Sequence, residues 1–199
     1  ITHHDLKNPL SVIVAAADTL KNEGKYSKQG IELIADSADL MKQMIDEKML
    51  LLQLENKTTD YALLPINALA LINKVVYGQR IKCKQKCILV KYKFSKKINF
   101  LGVELFCFNL FNNLLTNAIE AAPDNTEVEI TLELNSDKIV TTIKNQGLIP
   151  EKIQARFFDK FITHGKEGGT GLGTYSAKLL AIAQDGDISF LSNEEDGTS

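Results

Sequence analysis

Two adjacent histidines, His3 and His4, stand near the start of the sequence, and the second begins the run His4-Asp5-Leu6-Lys7-Asn8-Pro9-Leu10. An imidazole with an ordinary pKa of about 6.5 is mostly neutral at cellular pH and is then a good nucleophile. On a helix Asn8 stands four residues from His4 and shares its face. Asp5 is adjacent in sequence, and helix geometry alone does not aim its carboxylate at His4. Pro9 lacks an N–H, which leaves the Asp5 carbonyl without its helical partner and kinks the helix at this turn. Taken alone, two histidines near a helix start are ordinary surface residues. A second group comprises Asn109, Asn112, Asn113 and Asn117. Asn109, Asn113 and Asn117 recur every four residues and form one helical stripe. Asparagine is a poor helix former, so such a stripe needs partners. It either caps neighbouring strands or faces water, or it turns carboxamide oxygens towards a hydrated Mg²⁺ shared with substrate phosphates.

A third group is Asn145-Gln146-Gly147 at a strand end, with Gly168-Gly169-Thr170-Gly171-Leu172-Gly173 before a helix. A glycine-rich turn feeding a helix N-terminus presents backbone N–H groups to phosphate. His164 and Lys166, just upstream, add positive charge. The turn is neither a Walker lysine loop nor the opening of a Rossmann unit.

The elements that must position these residues follow from periodicity. Leu6, Leu10, Ile13, Ala17 and Leu20 are spaced as the seam of a helix, with His3 on that seam and His4 beside it. Residues 22–30 carry two glycines and a serine and read as a turn. A second seam runs through Ile31, Ile34, Ala38, Met41 and Ile45, then slips through Met49 to Leu52. A lone hairpin of this size buries too little surface, so the spacing predicts a dimeric four-helix bundle, or a hairpin packed on the rest of the chain. Beyond Thr58 the pattern becomes mixed α/β. Pro65 is expected in the first turn of a helix burying Leu69, Ile72, Val75 and Val76. Ile88, Val90, Tyr92 and Phe94 alternate as a strand, and a helix is expected over 103–122. Val128, Ile130, Leu132 and Leu134 lead through a turn at 135–137 into a second strand over 139–143. A short helix is expected over 177–184 and a closing strand over 188–191.

The 199 residues are 44% hydrophobic and 24% charged, enough for a buried core. A net charge of −2 excludes the basic footprint of a general nucleic-acid binder. The eight cations from Arg80 to Lys97 alternate with apolar strand residues and read as a solvated face. Three cysteines make no disulfide framework and place the chain in a reducing, cytoplasmic compartment; Cys83 and Cys87 have no nearby partners for a metal.

Taken together and in order, these segments resemble the catalytic core of a sensor histidine kinase of a two-component system. The run from His4 to Leu10 looks like that family's phospho-acceptor box. Asn113-Leu114-Leu115-Thr116-Asn117-Ala118 looks like its N box, and Asn145-x-Gly147 like its first glycine box. Phe157-Phe158-Asp159-Lys160-Phe161 is similar to the F box, and Gly169-Thr170-Gly171-Leu172-Gly173 to the second glycine box. The resemblance implies a multidomain α and α/β protein. Residues 1–56 would be a dimerisation and histidine phosphotransfer hairpin, in a dimeric four-helix bundle. Residues 57–199 would be an α/β sandwich of the Bergerat ATP-binding type, lacking the family's usual final strand.

The resemblance also implies roles. His4 is the phospho-acceptor, Asp5 takes its ring proton, and Asn8 positions water for dephosphorylating the partner regulator. Asn117 ligates Mg²⁺, Asn113 lies nearby, and Asn145 takes the adenine amine. Gly147, Lys166, Gly169, Thr170, Gly171, Leu172 and Gly173 complete the nucleotide site. ATP and Mg²⁺ are the implied cofactors. A second copy of the chain and the receiver domain of a response regulator are the implied partners. An upstream sensory domain lies outside this sequence, which is then cytoplasmic or the cytoplasmic part of a membrane-anchored receptor. Two departures stand out. Asn145 replaces the family's Asp, which weakens the bond to adenine, and Leu148 stands near the place of a second glycine. A nucleotide-weak dimeric scaffold or phosphatase is one alternative. A related hydrolytic ATPase is another, although Asn113 cannot act as the general base such enzymes place there.

Overall fold

The computed structural model describes residues 3–23, 27–56, 61–94, 98–135, 138–163 and 171–199. They divide into two compact units, one within residues 1–59, the other within residues 60–163 and 171–199. The first unit is a hairpin of α1 (His3–Glu23) and α2 (Lys28–Asn56). Along its inner seam α1 half-buries Leu6, Ile13, Ala16 and Leu20 and buries Pro9, while α2 half-buries Ile34, Ser37, Met41 and Met44. Leu10, Val14, Ile31, Ile45, Met49 and Leu52 are exposed instead. The expected single seams are therefore corrected. Each helix carries two apolar stripes, one closing the hairpin and one facing outward, and the sequence spacing had merged them.

The second unit begins with β1 (Leu64–Asn67), then α3 (Ala68–Gly78), α4 (Arg80–Lys86), β2 (Leu89–Phe94) and β3 (Asn99–Gly102). Next come α5 (Glu104–Ala121), β4 (Glu127–Asn135), β5 (Lys138–Asn145), α6 (Glu151–Gln154), α7 (Gly173–Ile182), β6 (Ser192–Asn193) and β7 (Gly197–Thr198). Strands β1 and β3 pair antiparallel. The main sheet has the order β2-β4-β5-β7-β6, with β2 parallel to β4 and the remaining pairs antiparallel. Helices α3 and α5 cover one face, where Ile72, Val75, Leu115 and Ile119 pack on Val128 and Ile130 of β4. The alternation in β4 explains this: Val128, Ile130 and Leu132 point into the core, while Leu134 runs past its edge and is exposed.

Three local expectations are corrected. Pro65 lies in β1 opposite Leu101, where a two-stranded pair leaves it on an edge. The helix starts three residues later, with Asn67 Oδ1 accepting from Ala70 N at 2.9 Å as a side-chain cap. That start turns Ala68, Leu71, Ile72 and Val75 inward and leaves Leu69 exposed. Helix α7 starts at Gly173, four residues before the expected helix over 177–184. The expected strand over 188–191 is replaced by the short β6–β7 hairpin. Asn193 Oδ1 accepts from the N–H groups of Glu195 and Asp196 and builds its turn, and Leu191 and Ser199 exchange two backbone bonds of 2.9 Å beyond it.

Candidate functional site

The site residues of the second unit are gathered by three elements: the end of β5, the inner face of α5 and the start of α7. Asn145 closes β5 between Val128 of β4 and Thr198 of β7, and is buried. Two residues on, Gly147 is buried against the end of α5. A Cβ there would collide with the Ala121 carbonyl, so only glycine permits this approach. The Thr198 hydroxyl donates to the Gly147 carbonyl at 2.7 Å and shares a 2.8 Å contact with Ser192 Oγ, which accepts from Ile149 N at 2.9 Å. The terminal hairpin thereby holds both ends of the segment that follows Asn145.

On α5, Asn109, Asn113 and Asn117 are half-buried, whereas Asn112 is taken up structurally, accepting from Gln79 Nε2 at 2.7 Å at the α3–α4 junction. The structure brings Asn117 to the glycine turn, since a Cβ on Gly173 would stand 3.8 Å from Asn117 Nδ2. Gly171 has φ +63°, and a Cβ on it would run into the Phe161 backbone. Phe161 itself has φ +65° and donates its N–H to the Gly171 carbonyl at 2.9 Å. Leu172 caps α7, accepting from Ser176 N at 2.7 Å. The helix thus opens at Gly173, directly beside the asparagine stripe, as an anion site at a helix start requires.

In the first unit, His4 and Asp5 lie in the first turn of α1 and Asn8 follows one turn on, exposed. The orientation of the His4 and Asp5 side chains lies outside what is described, as do His164, Lys166, Gly168, Gly169 and Thr170.

Several positioning residues escaped the sequence reading. Ser192 and Thr198 carry no local signal, because their roles exist only once β7 pairs with β5. Thr174 donates to the Phe157 carbonyl at 2.9 Å and ties α7 to a cluster of Phe157, Phe158 and Phe190. Gln184 Oε1 accepts from Val103 N at 2.8 Å and faces Cys107 Sγ at 3.2 Å. Burial pushes the Cys107 thiol up to about 11, against a smaller opposing pull from the Gln184 hydrogen bond.

A helix-backed mixed sheet with an asparagine-bearing helix and a glycine turn opening the next helix defines an ATPase-type nucleotide unit, here preceded by a helical hairpin. Residues 102–199 match the family described as histidine kinase-, DNA gyrase B-, and HSP90-like ATPase, and residues 2–57 match the His Kinase A (phospho-acceptor) domain. The heme sensor protein HssS of Staphylococcus haemolyticus is 27% identical over 201 residues, which is 98% of this chain and 44% of HssS. The chain spans 32% and 59% of the lengths of two further curated kinases. Among solved structures, the histidine kinase AdeS of Acinetobacter baumannii shares the fold over 98% of this chain and 93% of its own, with TM-score 0.74 at 16% identity. The histidine kinase ThkA, solved in complex with the response regulator protein TrrA, matches with TM-score 0.65 at 21% identity, over 98% of this chain and 57% of that one. The chain belongs to the histidine kinase family and carries the catalytic core of a sensor histidine kinase. Among the described residues, no helix is long and apolar enough to cross a membrane.

Proposed function

We propose that this core catalyses ATP-dependent autophosphorylation on His4 and passes the phosphoryl group to an aspartate of a response regulator. The observation that carries the reading is the presence, in one chain and in this order, of a phospho-acceptor hairpin and an ATPase unit. Residues 1–56 serve dimerisation and phosphotransfer, and residues 57–199 bind the nucleotide. A second copy covers the outward stripe of Leu10, Val14, Ile31, Ile45, Met49 and Leu52, which the hairpin leaves exposed. The ThkA complex with TrrA supports a response regulator as the phosphoryl acceptor. The unit then works on the cytoplasmic side, beside the regulator.

Asn117, with Asn113 nearby, offers neutral carboxamide oxygens on a half-buried stripe, a donor set that fits a hard cation retaining most of its water. Mg²⁺ held there would supply charge neutralisation to the substrate phosphates. Asn145 and Gly147 hold the base, while Lys166, Gly169, Thr170, Gly171, Leu172 and Gly173 surround the phosphates with backbone donors and one positive charge. A lone pair on the His4 ring attacks the γ-phosphorus as the bond to the bridging oxygen breaks, and Asp5 accepts the ring proton. Asn8 orients water against the phosphorylated regulator, a second activity of the same helical turn.

Incubation with γ-labelled ATP and Mg²⁺, followed by a test for acid-labile protein phosphate, checks the reading. Label is expected on the intact chain and is lost in His4→Ala and Asn117→Ala. Label that survives His4→Ala overturns the assignment of the acceptor.

A further inference from the structure

Three polar side chains are buried among the described residues, and two of them are committed. Gln79 donates to Asn112 Oδ1 at 2.7 Å, and Thr174 donates to the Phe157 carbonyl at 2.9 Å. Asn145, 4% exposed, is different. Its Nδ2 makes one long bond of 3.5 Å to the Gly147 carbonyl two residues along, and no described group donates to its Oδ1. A bond of that length is at the weak limit. A buried carboxamide spent so little calls for a partner from elsewhere. The neighbouring hydroxyls cannot take over its task, because Thr198 is used on Gly147 and Ser192 on Ile149.

The chemistry of that side chain sets what it can read. A carboxylate only accepts, whereas a carboxamide carries an acceptor and a donor that exchange places on a half-turn about its terminal torsion. Adenine presents an amine donor at the position where guanine presents a carbonyl acceptor. A carboxylate here would welcome the first and repel the second. Asn145 accepts from adenine in one orientation and donates from Nδ2 to the guanine oxygen in the other. The turn gives up only the 3.5 Å bond.

We propose that the nucleotide site takes guanine as well as adenine nucleotides, so that GTP serves beside ATP as phosphoryl donor, with Asn145 as the residue that sets this breadth. The inference rests on the nucleotide site proposed above and adds its base specificity. The triphosphate is common to both donors. With GTP the same bond to the β,γ-bridging oxygen breaks, the same bond to the His4 ring forms, and GDP leaves with the electron pair.

The test is titration of the full chain with ATP and with GTP, each with Mg²⁺, repeated on Asn145→Asp and Asn145→Ser. Dissociation constants for the two nucleotides within about 10-fold of each other are expected for the unsubstituted chain. Asn145→Asp should widen the ratio in favour of ATP by about 10-fold or more, the scale of one base contact. Asn145→Ser, which buries no charge, should weaken both nucleotides together. ATP binding with GTP weaker by more than 10-fold overturns the inference and leaves the ATP site standing. An unchanged ratio in Asn145→Asp overturns the assignment to Asn145. Failure to bind either nucleotide overturns the underlying site as well.

Discussion

The Thr198 hydroxyl donates to the Gly147 carbonyl oxygen at 2.7 Å, joining residues 51 positions apart in the chain. The bond fixes the turn after β5 from the side of the terminal hairpin, and it lies next to the one buried carboxamide of the candidate site. The Thr198 oxygen in turn meets Ser192 Oγ at 2.8 Å. Removal of the hydroxyl leaves the Gly147 carbonyl, in a buried residue, with only the 3.5 Å bond from Asn145 Nδ2, at a cost of about 1–3 kcal/mol. Thr198→Val should therefore lower the urea midpoint and weaken nucleotide binding, while Thr198→Ser keeps both near the starting values. Loss in Thr198→Ser with both properties retained in Thr198→Val would assign the effect to the methyl group and not to the hydrogen bond.

A cation plays a matching structural part at the C-terminal end of α5. Lys86 Nζ donates to the carbonyls of Ile119, Glu120 and Ala122 at 3.0, 2.9 and 2.5 Å and lies 3.9 Å from Asp124. It closes the end of the helix that bears the asparagine stripe and places positive charge at the negative pole of the helix. Lys86→Met should cost about 2–3 kcal/mol, since it strips charge-assisted bonds from several carbonyls at once. Urea unfolding of the variant checks this. A change below about 0.5 kcal/mol would mean that water replaces the ammonium without penalty.

How much of this was legible in the sequence depended on the range of the interactions. The α1–α2 hairpin and the β4–β5 pair were readable because each carries its own periodicity, and α5 because its periodicity stops at Pro123. The seams of the first unit were misread because a list of apolar positions does not say which of two faces each serves. Leu10 and Ile31 point outward and Pro9 and Ala16 inward, a distinction only helix packing makes. Gly171 and Gly173 read as a glycine-rich turn before a helix, but their spacing did not say that the first would pack its turn against the Phe161 backbone while the second opens α7. The candidate site residues stood out as motifs, since runs of asparagine and glycine at those spacings are uncommon in helices. Ser192, Thr198 and Gln184 were not, because each acts on a residue dozens of positions away.

Burial of Cys107 gives the second unit a pH signature. Its thiol is raised from 9.0 to about 11 in the folded chain. The folded state thus holds the proton that the unfolded state releases first, so the contribution is complete below pH 9 and is lost as pH rises towards 11. Urea midpoints measured from pH 8 to pH 11 should fall more steeply for the unsubstituted chain than for Cys107→Ala. The comparison between the two removes the part due to lysines and tyrosines, which titrate in both. Parallel curves would show that the thiol is hydrated in the native state.

The last prediction separates two activities on one turn of α1. Pro9 is buried and Asn8 beside it is exposed, so this turn presents Asn8 outward without using it for packing. Asn8 has no ionisable proton and cannot be the nucleophile. Its amide can only orient a water or a phosphoryl oxygen. Asn8→Ala should leave most autophosphorylation intact and slow the loss of phosphate from the regulator by about 10-fold or more, the scale expected when an oriented water loses its guide. His4→Ala should end autophosphorylation, and His3→Ala should loosen the hairpin while labelling persists. Two time courses per variant, phospho-enzyme formation and phospho-regulator decay, read these effects separately. Label retained by His4→Ala and lost by His3→Ala would move the acceptor by one residue, and regulator decay unaffected in Asn8→Ala would take the water-orienting role away from Asn8.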